Sequence, residues 1–195
     1  MLHADADYLF SLSSYVLGYR PERALDVSAV LGVGASRMTG GNQAFDFHGG
    51  LQLKFFDGPH AAITAEPYVM LANKSLSPTA TMRNWHKYSV DYGINLSYVY
   101  YFDNMLTAPA LTGTFKKLFA PAGSPRWLRG DSTDVAQRRP LFLQYGVGLE
   151  GVTSFAGRSW SQTTGAAYSL AFGGWLSSAV GLRAGVGMST MRWNE

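Results

Sequence analysis

The feature that most constrains this chain is a period-two alternation of side chains, held over segments longer than ordinary strands. Segment 44–56, AFDFHGGLQLKFF, sets Phe45, Phe47, Leu51, Leu53 and Phe55 against Asp46, His48, Gln52 and Lys54. Successive side chains of a strand point to opposite faces, so this stretch has one apolar face and one polar face carrying ionisable groups. The pattern recurs at 8–17, 25–36, 61–71, 88–102, 140–155, 164–176 and 180–193, which predicts eight strands in all. Most would run about 10–14 residues, against a usual five or six. A strand of about 10 residues tilted near 45° crosses the core of a bilayer.

Alternation alone does not say which face is inside, because a soluble sandwich shows the same pattern with its apolar face in the core. The make-up of the polar face decides the reading. It is mostly Gly, Ser and Ala, with Asp26, Asp46, His48, Gln52, Lys54, Glu66, Asp91, Glu150 and Arg183 spaced along it. A solvated face would be crowded with Lys, Glu and Thr; charged residues are only 15% of this chain, against about 25% in soluble domains. Small residues with a few complementary ions suit the lumen of a narrow barrel. The other face is Leu, Val, Ala, Ile and aromatic. Tyr8, Phe55, Phe56, Tyr88, Tyr100, Phe102 and Phe155 fall near strand ends, where interfacial aromatic girdles sit. The expectation is an all-β, antiparallel up-and-down transmembrane barrel of about eight strands, its edges closed because lipid offers no partner to an open edge.

The whole of 1–195 reads as one barrel domain. Connections 18–23, 57–60 and 177–180 read as tight turns; 39–42, 73–86 and 156–163 read as longer or more polar. That contrast predicts short turns on the periplasmic side and long loops on the other. Segment 103–137 breaks the scheme as the longest connection on the short side. Its Pro, Gly and Ser read as a linker or insertion with a short helix near 112–119. The start, MLHADADYLF, has neither the basic nor the apolar region of a signal peptide, so an exported chain would be a mature piece or a fragment.

Residues 3–37, HADADYLFSLSSYVLGYRPERALDVSAVLGVGASR, resemble a recurrent segment of Bacteroidota outer-membrane β-barrels that are OmpA-like in their transmembrane part, with Gly18, Tyr19, Pro21 and Arg23 matching the family's turn. Residues 170–187 resemble that family's earlier hairpin, through Gly174, Trp175, Gly181, Leu182 and Arg183. The order differs: the hairpin of 164–193 would normally precede 3–37, and 96–102 looks like a terminal strand. The resemblance implies a barrel in the outer membrane of a Gram-negative bacterium, and no catalysis.

The charges of the polar face are expected to pair with one another in the lumen, since an unpaired buried charge is costly. No HExxH or EF-hand spacing occurs and there is no cysteine, so neither cofactor nor metal is predicted. His60 and His86 read as exposed or interfacial. A hydrolytic site at the lipid-facing rim would draw on His86 or Ser89, but no nucleophile stands next to a base. The net charge of +3 is too small and dispersed for nucleic acid. The expected function is a non-enzymatic membrane anchor or scaffold. Its partners would be membrane lipid, lipopolysaccharide and envelope proteins met through 73–86 and 103–137. The alternatives are a lipid-modifying or lipid-binding barrel, a small pore, and a soluble β-sandwich or lipocalin-like binder.

Overall fold

The computed structural model describes residues 1–18, 23–37, 43–55, 61–73, 87–102, 141–156, 159–177 and 179–193. The alternating segments form β1 (Leu2–Ser11), β2 (Leu25–Arg37), β3 (Gln43–Phe55), β4 (Ala61–Ala72), β5 (Lys87–Phe102), β6 (Leu141–Ala156), β7 (Ser159–Trp175) and β8 (Val180–Trp193). Each strand pairs antiparallel with its sequence neighbours, and β8 returns to β1 to close an eight-stranded barrel. The expected all-β, up-and-down architecture is therefore the observed one.

Closure carries a stagger. Register followed from Asp7 through Gly32, His48, Met70, Asp91, Val152 and Thr163 arrives at Trp193, ten residues from Arg183, to which Asp7 is paired directly. With a rise of about 3.3 Å per residue and strands about 4.8 Å apart, that stagger tilts the strands by roughly 40°. The 13 residues of β2 or β3 then span roughly 30 Å along the barrel axis.

Several boundaries depart from the sequence expectation. The first strand is not 8–17: β1 starts at Leu2 and stops at Ser11, and Leu12–Leu17 form a short helix, α1. Ser11 caps that helix, its hydroxyl accepting from the Ser14 amide at 3.2 Å, and Gly18 ends it with a φ of 74°. The local hydrogen bond of a serine thus overrides an alternation that SLSSYVL continues only weakly. Residues 156–163 are not a long loop, because β6 runs to Ala156 and β7 begins at Ser159. Ladder pairing such as Ser154 with Ser161 holds these polar residues in strand. The longest connection, 103–140, shares an end with α1, while the opposite end includes the two-residue link 157–158. Connection length therefore does not sort the two ends. The insertion expected at 103–137, its helix near 112–119, and His60 and His86 lie outside the described residues.

The lumen is filled in layers. Toward the α1 end, Leu9, Val30, Ala62, Val99, Tyr101, Phe142 and Trp175 form a buried apolar cluster that stoppers the barrel, with the Tyr101 and Phe142 rings edge to face at 6.3 Å. Polar and charged side chains fill most of the other inward positions, and Lys54 shares the α1 end with this cluster, its Nζ 6.0 Å from the Tyr101 ring centroid. At the opposite end the small pair Ala44 and Ala72 packs with Met1.

Candidate functional site

Asp26, Asp46, His48, Gln52, Glu66, Asp91, Glu150 and Arg183 are buried inside the barrel, and Lys54 is half-buried on the same inward parity of β3. Asp7 links Arg183, Glu66 and Gln52 to His48 and Asp46, and tilt and stagger spread these groups along the axis.

At the centre is Arg183 of β8. Its Nε donates to Asp7 Oδ2 at 2.6 Å, and its two terminal nitrogens donate to Glu66 Oε2 and Oε1 at 2.7 and 2.8 Å. A guanidinium forked onto a carboxylate is the strongest geometry such a pair can adopt. Arg183 Nη1 also reaches Gln144 Oε1 at 3.3 Å; Gln144 donates to Ser97 at 3.0 Å, and Gln52 donates to Glu66 at 3.1 Å. Six strands are thereby tied across the lumen through one cation. Toward the stopper, Lys54 lies 3.7 Å from Asp26, and Arg23 approaches the same carboxylate at 3.9 Å. Ser11 Oγ sits 3.0 Å from Asp26, so the cap of α1 is tied to the lumen charges.

Toward the other end lies a second cluster that the sequence reading did not list in full. His48 Nε2 meets Asp7 Oδ1, and His48 Nδ1 faces Asp46 Oδ1 at 3.6 Å. His3 Nε2 lies 3.1 Å from Asp5 Oδ2, and His3 Nδ1 lies 3.5 Å from Asp46 Oδ2. The Ser36 hydroxyl sits between them, 2.9 Å from His3 Nδ1 and 3.0 Å from Asp46 Oδ2. β2 lies between β1 and β3, and it makes this crossing contact possible by offering glycine. Gly34 stands between Asp5 and Asp46, and Gly32 between Asp7 and His48. A Cβ at Gly34 would come within 2.7 Å of both Asp46 Oδ1 and His3 Cε1.

A cavity of about 110 Å³ opens beside these groups, lined among others by His3, His48, Glu66, Tyr68, Asp91 and Glu150. The Tyr68 hydroxyl donates to Glu150 Oε2 at 3.3 Å. Asp91 Oδ1 and Glu150 Oε1 are buried without a hydrogen-bond partner among the described residues. Asp91 and Glu150 are diagonal neighbours on β5 and β6, with only Gly93 opposite Glu150.

His3, Asp5, Asp7 and Tyr68 are inward groups missing from the lumen set expected from sequence, although Asp7 and Tyr68 share the polar parity of their segments. The signal for the first three was present in HADAD, where polar residues alternate with alanine. Alanine marks an outward face too weakly for the strand to be traced back that far. Ser89 is fully buried within the barrel, so it does not lie at an outward-facing rim as a hydrolytic reading required.

On the outside, Tyr8, Tyr88 and Tyr100 are exposed and Phe55 and Phe102 half-buried; Phe56 and the side chain of Phe155 lie outside the described residues. Tyr100, Phe102 and Phe172 make successive ring contacts of 5.3 and 6.5 Å near the α1 end. Aromatic rings also stand away from the ends, at Tyr92 and Tyr168, so the outer aromatics are not confined to strand termini.

No protein-family model matches the chain, and no curated protein or solved structure matches it.

Proposed function

We propose that this barrel spans the outer membrane of a Gram-negative bacterium and acts there as a non-enzymatic anchor or scaffold of the cell envelope. The observation that carries the reading is the inversion of the molecule. Among the described strand residues most charges point inward, with Arg37 exposed at the end of β2, while the outer wall exposes large apolar side chains on every strand: Leu2, Leu31, Phe45, Leu71, Leu96, Leu149, Leu170 and Val186 among them. Soluble monomers rarely expose contiguous apolar patches beyond a few hundred Å². In lipid the same wall needs no cover, and closure leaves no unpaired strand edge. A wall roughly 30 Å tall also suffices for an apolar band of about 25 Å.

Helix α1 supports this reading. Tyr15, Val16 and Leu17 are exposed at the rim, with Tyr15 against Phe10 at 5.3 Å, as suits a turn resting in the headgroup region. The likeness of 3–37 and 170–187 to Bacteroidota barrels points the same way. The apolar stopper argues against a pore, and a lipocalin-like binder would need an apolar lumen where this one is charged. Membrane lipid and lipopolysaccharide would contact the wall, and envelope proteins would meet connections 73–86 and 103–137.

Phase partitioning tests the proposal. The expected result is recovery only with detergent, together with faster gel migration before boiling than after. Recovery as a monomer in aqueous buffer without detergent would overturn it.

A further inference from the structure

The geometry points to a binding site for a divalent transition ion of the zinc class, formed by His3 of β1 and by Asp46 and His48 of β3, at the mouth opposite the apolar stopper. One donor atom from each of the three residues lies within 4.8 Å of the others. Each ring faces its own oxygen of the carboxylate, His3 Nδ1 at 3.5 Å from Asp46 Oδ2 and His48 Nδ1 at 3.6 Å from Asp46 Oδ1. Bonds of about 2.0–2.1 Å to a tetrahedral zinc place neighbouring donors roughly 3.3 Å apart, so each ring-to-carboxylate spacing is close to what the ion imposes.

Two further observations fit an ion held between these side chains. First, His48 Nδ1 and Asp46 Oδ1, on side chains more than nine-tenths buried, make no hydrogen bond among the described residues and face each other at 3.6 Å. Buried polar atoms are normally hydrogen-bonded, so adjacent orphans on the proposed ligands call for a partner. Second, the far nitrogen of each ring is held by a carboxylate: His48 Nε2 by Asp7, and His3 Nε2 by Asp5 at 3.1 Å. A carboxylate accepts a hydrogen bond, which places a proton on Nε2 and leaves Nδ1, the nitrogen facing Asp46, as the ligand atom of each ring once neutral. Metal-binding histidines are oriented by just such carboxylates, and here both rings have one.

Imidazole with a single carboxylate favours zinc-class ions over magnesium and calcium, which prefer all-oxygen shells. The ion would exchange the Ser36 bridge between His3 and Asp46 for direct ligation. The adjoining cavity leaves room for a non-protein fourth ligand. The site does not depend on whether lipid or water surrounds the barrel.

Titration of the tag-free, chelator-stripped chain with Zn²⁺ alone, followed by calorimetry and by the ligand-field spectrum of Co²⁺, tests the inference. The expected result is one ion per chain, a tetrahedral-type Co²⁺ spectrum, and no competition from Mg²⁺ or Ca²⁺. Asp46→Asn and His48→Gln should abolish stoichiometric binding. Should either fail to fold, as judged by circular dichroism, His3→Gln at the more open edge of the site decides the matter. Asp5→Asn, which alters only the carboxylate behind His3, should weaken Zn²⁺ roughly 10–100-fold while the fold is unchanged. Absence of stoichiometric binding by the parent chain, or unaltered affinity in folded His3→Gln, would overturn the site.

Discussion

Replacing Arg183 by methionine tests the reading of the lumen most directly. The substitution keeps the volume of a long side chain and removes the guanidinium that joins β1, β4 and β6. Three short hydrogen bonds to carboxylates are lost, at 2.6, 2.7 and 2.8 Å. At about 1.5–3 kcal/mol for each bond to a charged group, the gross loss is roughly 4.5–9 kcal/mol. Methionine recovers part of this because it has no charge to desolvate, and broken buried pairs cost about 3–5 kcal/mol in net terms. The cavity beside Glu66 leaves room for water at one of the two stranded carboxylates, which favours the lower half of that range, about 3–4 kcal/mol. Against a total stability of about 5–15 kcal/mol, such a loss is easily measured. The assay is urea unfolding in detergent micelles, followed by tryptophan fluorescence and checked by gel mobility. Pairing Arg183→Met with Glu66→Gln should cost less than the sum of the single changes by at least about 1 kcal/mol, because the double variant leaves one carboxylate fewer unpaired. If Arg183→Met does not fold, Arg183→Lys keeps the charge, loses the fork and should show an intermediate loss. An Arg183→Met barrel within about 1 kcal/mol of the parent, or strictly additive single changes, would refute the reasoning.

Leu31→Arg, on the outer wall at mid-strand of β2, should destabilise the barrel by about 2–4 kcal/mol in lipid vesicles; a change below about 0.5 kcal/mol would mean that the wall meets water. Gly32→Ala places a methyl group against Asp7 Oδ1 and His48 Nε2, so it should break that contact and lower stability by about 1–3 kcal/mol in urea unfolding. Ser11→Ala removes the cap of α1 and the hydroxyl beside Asp26, with an expected cost of about 0.5–2 kcal/mol measured by thermal unfolding.

Sequence by itself determined β2 to β8 and their two faces, and placed the first strand six residues too far along the chain. In β3 every inward side chain from Ala44 to Lys54 was legible from parity, because a strand has only two faces and a one-residue slip would exchange them. Glycine and serine between the charges also marked the inward face as crowded. The apolar stopper was partly legible as well. Around Leu9, Val30, Val99 and Phe142 the alternation lapses and both faces become apolar, as must happen where the lumen itself is closed by hydrophobic side chains.

Tertiary structure alone decided which inward residues meet. Arg183 and Asp7 are 176 residues apart, and their contact exists because closure pairs β8 with β1 at one particular stagger. His3 and His48 come from strands that are not neighbours, and they meet over β2 because Gly32 and Gly34 leave the space between them open. Register and curvature arise from the whole circuit of eight strands, so no local pattern encodes them. The helix at Leu12–Leu17 is the converse case, where one serine hydroxyl ended a strand that periodicity alone would have continued. Parity is a property of each strand, whereas the partners across a lumen are a property of the closed ring.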